Sequence, residues 1–67
     1  MTPVKSSSLK AIGYDQKSKR LTVKFRGGGT YHYENVEPDQ HTKLMVADSI
    51  GSFFHKKILG KHKVRKA

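Results

Sequence analysis

Cysteine is absent from this 67-residue chain, which excludes disulfides and thiolate metal sites, the usual staples of a tiny secreted domain. No window approaches the ~18 consecutive apolar residues that a membrane-crossing helix needs. Met1–Leu9 has no apolar run of the kind that marks a leader peptide. The expectation is a soluble cytoplasmic protein with no membrane partner. Acidic side chains are also scarce: five Asp and Glu stand against fourteen Lys and Arg, for a net charge of +9. There are no internal repeats.

What charge there is, is segregated. Residues 1–35 hold seven cations against Asp15 and Glu34, and residues 36–51 hold Lys43 against Glu37, Asp39 and Asp48. The last sixteen residues carry Lys56, Lys57, Lys61, Lys63, Arg65 and Lys66 and no acid. An acidic stretch thus lies between two basic ones. This pattern favours a binding footprint for a polyanion over a uniformly basic, merely solubilising surface. It speaks about partners and says little about fold.

Sixty-seven residues allow one domain. A chain so short buries only ~60% of the surface that its unfolded form exposes, so segments with few apolar side chains should stay mobile. That predicts a disordered N-terminus over residues 1–5, a folded unit over residues 6–60 and a flexible basic tail over residues 61–67.

Within the folded unit, Leu9 to Tyr14 alternates, and Asp15-Gln16-Lys17-Ser18-Lys19 reads as a polar turn. Arg20 to Arg26 is the clearest strand, with Leu21, Val23 and Phe25 on one side and Thr22, Lys24 and Arg26 on the other. Gly27-Gly28-Gly29 supplies a hairpin turn. Thr30 to Asn35 returns with Tyr31 and Tyr33 on one side and Thr30, His32 and Glu34 on the other. Cross-strand partners share a face, so an odd loop sets both tyrosines beside Val23 and Phe25, whereas an even one sets them among cations. An odd loop of three residues with a glycine bulge is predicted. Pro38 and the acids at 37 and 39 suit the start of a helix, whose apolar stripe is Leu44, Met45 and Ala47 with His41 one turn earlier. Asp48 to Gly51 interrupts it, and Ser52 can cap a second helix bearing Phe53, Phe54 and Ile58, which Gly60 stops. The fold class is therefore α+β: a small three-stranded antiparallel meander packed against two short helices.

These residues carry a family resemblance. Ser8-Leu9-Lys10-Ala11-Ile12-Gly13-Tyr14-Asp15 is similar to the opening of the KTSC domain, and Leu21-Thr22-Val23-Lys24-Phe25 resembles its second strand. Gly28-Gly29-Thr30-Tyr31-His32-Tyr33 resembles its glycine turn and central Tyr-x-Tyr motif. Val36-Glu37-Pro38 and Gly51-Ser52-Phe53-Phe54 match the later landmarks. The likeness covers about Ser6 to Gly60. It implies a small α+β domain, found at the C-terminus of some lysyl-tRNA synthetases and as stand-alone bacterial or phage proteins. It also implies suspected RNA binding, no established function and no catalytic residues. His55 stands where members often have Asn. His62 and Val64 stand where aromatic residues are frequent, and the tail is unusually basic, which favours electrostatic over stacking contacts there.

Tyr31 and Tyr33 could stack on unpaired bases, at ~1–3 kcal/mol per base, but the parity argument favours rings in the core with hydroxyls at its edge. Tyr14 is read the same way. His32, His41, His55 and His62 lack the spacing and the acid or thiol neighbours of a metal site. The glycine run joins two strands without a following Lys-Ser or Lys-Thr, so it is a turn and not a phosphate-cradling loop. Ser6, Ser7 and Ser8 with His41 lack an orienting carboxylate and a strained turn. No enzyme, metal, cofactor or small-molecule substrate is implied.

The reading is a non-catalytic module that binds RNA or single-stranded nucleic acid through its phosphates. Lys56, Lys57, Lys61, Lys63 and Arg65 form the main patch, and Lys24 and Arg26 extend it around the hairpin. Lys outnumbers Arg, which favours point-charge phosphate contact and weak sequence preference. The alternative is a protein-interaction module, docking an acidic partner or adding a partner strand at Leu9–Tyr14 or Thr30–Asn35.

Overall fold

The computed structural model describes all 67 residues. Along the chain come β1 (Thr2–Pro3), β2 (Leu9–Asp15), β3 (Arg20–Phe25), β4 (Thr30–Tyr33), α1 (Pro38–Met45), α2 (Ile50–Lys57) and β5 (Val64–Lys66). The strands make one sheet in that same order, antiparallel throughout.

The β3–β4 hairpin has the odd loop. The Phe25 N–H donates to Gly29 O at 3.1 Å and the Gly28 N–H to Phe25 O at 3.2 Å, leaving Arg26–Gly28 as the turn. Gly28 and Gly29 adopt φ of 109° and 88°, a region that glycine enters without a Cβ penalty. The register pairs Val23 with Tyr31 and Leu21 with Tyr33, so the aromatic row does share a face with the aliphatic one. On the other side of β3, Ile12 pairs with Val23 and Tyr14 with Leu21. A bulge between Leu9 and Ala11 keeps Leu9 and Ile12 on this inner face.

Both helices cover that face. Pro38 opens α1, and the Glu37 N–H is met by Gln40 Oε1 at 3.4 Å. Ser49, not Ser52, caps α2: its Oγ accepts from the Ser52 N–H at 3.3 Å. The helix starts early because Gly51 has no side chain, and a Cβ there would lie 3.0 Å from Ser6 Oγ. Glycine thus lets the Ser6–Ser8 segment lie against the first turn of α2. Phe54 and Ile58, one turn apart, are fully buried. Phe54 is the wedge of the core, meeting Tyr33 edge-on at 5.2 Å and Phe25 at 5.8 Å. Val4, Leu9, Ile12, Leu21, Val23, Val36 and Leu44 complete the cluster, and no charged or polar residue is buried with it.

Three further expectations are corrected. The sheet has five strands and not three, because both terminal segments join it. Residues 61–67 are not a free tail: Val64–Lys66 pair with β4, the Glu34 N–H donates to Lys63 O at 2.9 Å and the Ala67 N–H to Thr30 O at 2.8 Å. Every side chain of β5 is exposed, so what β5 satisfies is the backbone of β4, whose outer edge would otherwise be bare. Residues 1–5 are likewise ordered. Thr2 and Pro3 pair with Ile12 and Ala11, the Val4 N–H donates to Lys10 O at 3.2 Å, and Val4 belongs to the core.

Candidate nucleic-acid interface

With the helices on one face, the other face of the sheet is left open. Cross-strand register arranges it in three rows. One runs through Ala11, Lys24 and Thr30. The middle row is Gly13, Thr22, His32 and Arg65. The third is Asp15, Arg20, Glu34 and Lys63, where Arg20 pairs with Asp15 across β2–β3 and the Glu34 backbone bonds to Lys63. None of these residues is buried. Four of them are cations.

The charge on this face is organised by one carboxylate. Glu34 Oε1 lies 3.7 Å from Arg20 Nη2 and 3.7 Å from Arg65 Nε, tying β3 to β5 across β4. Lys24 and Lys63 have no acidic partner among the ion pairs of the molecule. Arg20 Nε is shielded and finds no acceptor within the protein. Beside them, Thr22 Oγ1 and His32 Nδ1 share a hydrogen bond of 2.8 Å, which fixes the imidazole plane.

The sequence-derived patch is divided by this architecture. Lys24, Lys63 and Arg65 come together on the open face. Lys56 and Lys57 are exposed on α2, in the layer behind the sheet, and Lys61 lies in the turn between α2 and β5. Arg26 is exposed, but its Nε donates to Ser6 O at 2.6 Å and its N–H to Ser8 O at 3.0 Å, so it pins the hairpin to the N-terminal segment. Arg20, absent from the sequence-derived set, belongs to the open face through its pairing with Asp15 and Glu34.

Neither tyrosine of the Tyr-x-Tyr motif is on that face. Tyr33 is 3% exposed, with its ring against Phe54, and burial followed by the neighbouring Tyr31 pushes its phenol pKa above the usual value. Tyr31 is half-buried, edge-on to Phe25 at 5.7 Å. Both rings therefore take the packing role that the parity argument favours, and neither is offered to a base on the open face. Tyr14 stacks on His41 at 4.6 Å and donates its hydroxyl to Val36 O. Burial raises the Tyr14 pKa, with a further contribution from Glu37, and burial lowers that of His41.

The remaining polar feature is a cavity of about 440 Å³ between Lys5–Ser8 and the start of α2, with His55 at its rim. Ser6 Oγ accepts from the N–H groups of Ser8 and Leu9, both at 3.2 Å, so its hydroxyl is committed to holding the segment. His41 is occupied with Tyr14, and His62 Nδ1 with Glu34 O at 3.0 Å. No three His, Asp or Glu side chains gather as a metal site would require. No helix is long and apolar enough to cross a membrane. The two strands considered as acceptors for a partner strand, β2 and β4, are both paired on two sides, which removes them as docking edges.

Comparison with known proteins adds to this geometry. The family model of the KTSC domain matches residues 5–62. A protein of Tsukamurella paurometabola is 43% identical over 53 residues, 79% of each chain. One of Stutzerimonas stutzeri is 39% identical over 59 residues, 88% of this chain and 83% of the other. A lysine–tRNA ligase of Nostoc punctiforme is 40% identical over 57 residues, which is 85% of this chain but 10% of the ligase. Among solved structures, a KTSC domain protein from Yersinia pestis superposes with a TM-score of 0.96 at 42% identity, covering 98% of this chain and 93% of that one.

Proposed function

The chain belongs to the KTSC domain family, and from the surface that this fold presents we propose that it binds RNA or another single-stranded nucleic acid, mainly through phosphates. The observation that carries the reading is the open sheet face, where Lys24, Lys63, Arg65 and Arg20 stand among short side chains. Long cations over a low-relief floor suit an extended polyanion: the charges reach phosphates while the chain of sugars lies close to the sheet. The similarity to a segment of a lysine–tRNA ligase, an enzyme whose name ties it to tRNA, supports RNA as the ligand class. Phosphates carry no sequence information directly, so weak sequence preference is expected.

The protein acts here as a binding module and performs no reaction on its ligand. The test is titration with labelled single-stranded oligonucleotides of several sequences at low and moderate salt. A steep loss of affinity with salt, similar for all sequences, supports the proposal. Absence of binding at ~50 mM salt, where several phosphate contacts should be strong, refutes it and points to an acidic protein as the partner.

A further inference from the structure

The open face contains one ring. All of Tyr14, Phe25, Tyr31 and Tyr33 lie on the helix-covered side, because each is paired with an inner-face residue or packed on one. His32 is the exception. It sits at the centre of the open face, with Thr22 directly across on β3 and Arg65 directly across on β5. We propose that His32 is a base-stacking platform for one unpaired nucleotide, flanked by Lys24 and Arg65 as phosphate contacts. This rests on the phosphate-binding reading above and deepens it by naming where a base goes.

Three features of the site fit that role. The imidazole is held at Nδ1 by Thr22, so its plane is set before any ligand arrives and less ordering is needed on binding. Beyond Thr22 in the same row, Gly13 is covered by Met1, whose Cγ lies 3.1 Å from where a Gly13 Cβ would stand, so the surface open to a base is bounded there and centres on the ring itself. Successive rows on one strand face are about 7 Å apart, two residues of rise, so Lys24 and Arg20 flank the ring's row on either side. A base on the ring thus has cations within reach of its own and the adjoining phosphates. Arg65 adds a planar guanidinium beside the ring, which can stack on the same base or pair with its phosphate. The occupant is a single strand, since paired bases present only their edges and cannot lie flat on a side chain.

The experiment compares wild type, H32A and H32F against two ligands of equal length and phosphate number. One is a normal oligonucleotide, and the other has abasic sites along its length. Wild type should prefer the normal strand by roughly five- to a hundredfold, the range expected for one stacked base. H32A should lose that preference while still binding the abasic strand as wild type does. H32F should keep it, because the ring persists without the hydrogen bond to Thr22. In wild type the His32 ring protons should move upfield in NMR spectra with the normal strand and stay in place with the abasic one, a readout that needs no variant to fold. Equal binding of the two strands by wild type, or an undiminished preference in H32A, overturns the stacking assignment and leaves the phosphate reading standing. Failure of wild type to bind either strand overturns both.

Discussion

Replacing Lys24 and Arg65 together by Gln removes two of the four open-face cations, and the effect can be worked out beforehand. For single strands the logarithm of affinity falls with the logarithm of salt at a slope of about −0.7 per phosphate neutralised. Four contacts give a slope of about −2.8, so going from 50 to 200 mM salt should cost wild type roughly fiftyfold in affinity. The double variant should show about −1.4 and lose only roughly sevenfold over the same interval. The fold should survive: Lys24 makes no ion pair, and Arg65 meets Glu34 at 3.7 Å from a side chain that is 76% exposed. Such surface pairs contribute ~0–1 kcal/mol. The assay is fluorescence anisotropy across a salt series, with thermal melts of both proteins and a K56Q/K57Q variant as control. If K24Q/R65Q keeps the wild-type slope while K56Q/K57Q flattens it, the ligand lies on the helix layer and the reasoning fails.

Three further outcomes follow from the packing. Phe54→Ala empties the centre of the aromatic cluster and should destabilise by about 3–5 kcal/mol, enough in so small a domain to lower the circular-dichroism melting point by tens of degrees or abolish the transition. Deleting Val64–Ala67 strips the partner from β4, forfeiting backbone bonds worth about 0.5–1.5 kcal/mol each. It should also create a bare edge that raises the apparent mass in size-exclusion chromatography. Acidification should weaken the fold through His41: its pKa is lowered by burial, so the unfolded chain takes up the proton first. The stability is present above the ordinary value of 6.5 and is lost as pH falls from there toward the lowered folded value. Urea midpoints measured between pH 7.5 and 5 should therefore decline in wild type and flatten in His41→Phe.

The parts of this fold that announce themselves in the sequence are those where side-chain burial and backbone geometry agree. Alternation in Arg20–Phe25 and the parity of the glycine turn are enough to place Tyr31 and Tyr33 on the inner face, and Pro38 marks a helix start. Val64–Lys66 gives no such signal: its side chains are all exposed, and it is a strand because β4 needs its hydrogen bonds, a demand written in another segment. Thr2–Pro3 is hidden for the same reason, with Val4 as its one apolar clue. The cap at Ser49 is masked by Gly51, which looks like a helix breaker until the approach of Ser6 explains it. As for the site, Lys24, Lys63 and Arg65 are visible as basic residues, but only strand order shows that they share a surface and that Lys56 and Lys57 do not. His32 stands opposite the tyrosines by simple alternation. Its standing as the lone ring of that surface emerges once both helices are known to lie behind the sheet.

The two outermost strands have a bearing on stoichiometry. One is two residues long and includes Pro3, which offers no N–H; the other is three residues long and bears Arg65 and Lys66. A second molecule approaching either margin meets too few hydrogen-bonding groups, and at β5 also meets charge of its own sign. Neighbours on a shared polymer should therefore ignore one another. Occupancy along a long strand should follow independent-site statistics, with Hill coefficients of about one in place of the cooperative coating seen where protomers interlock.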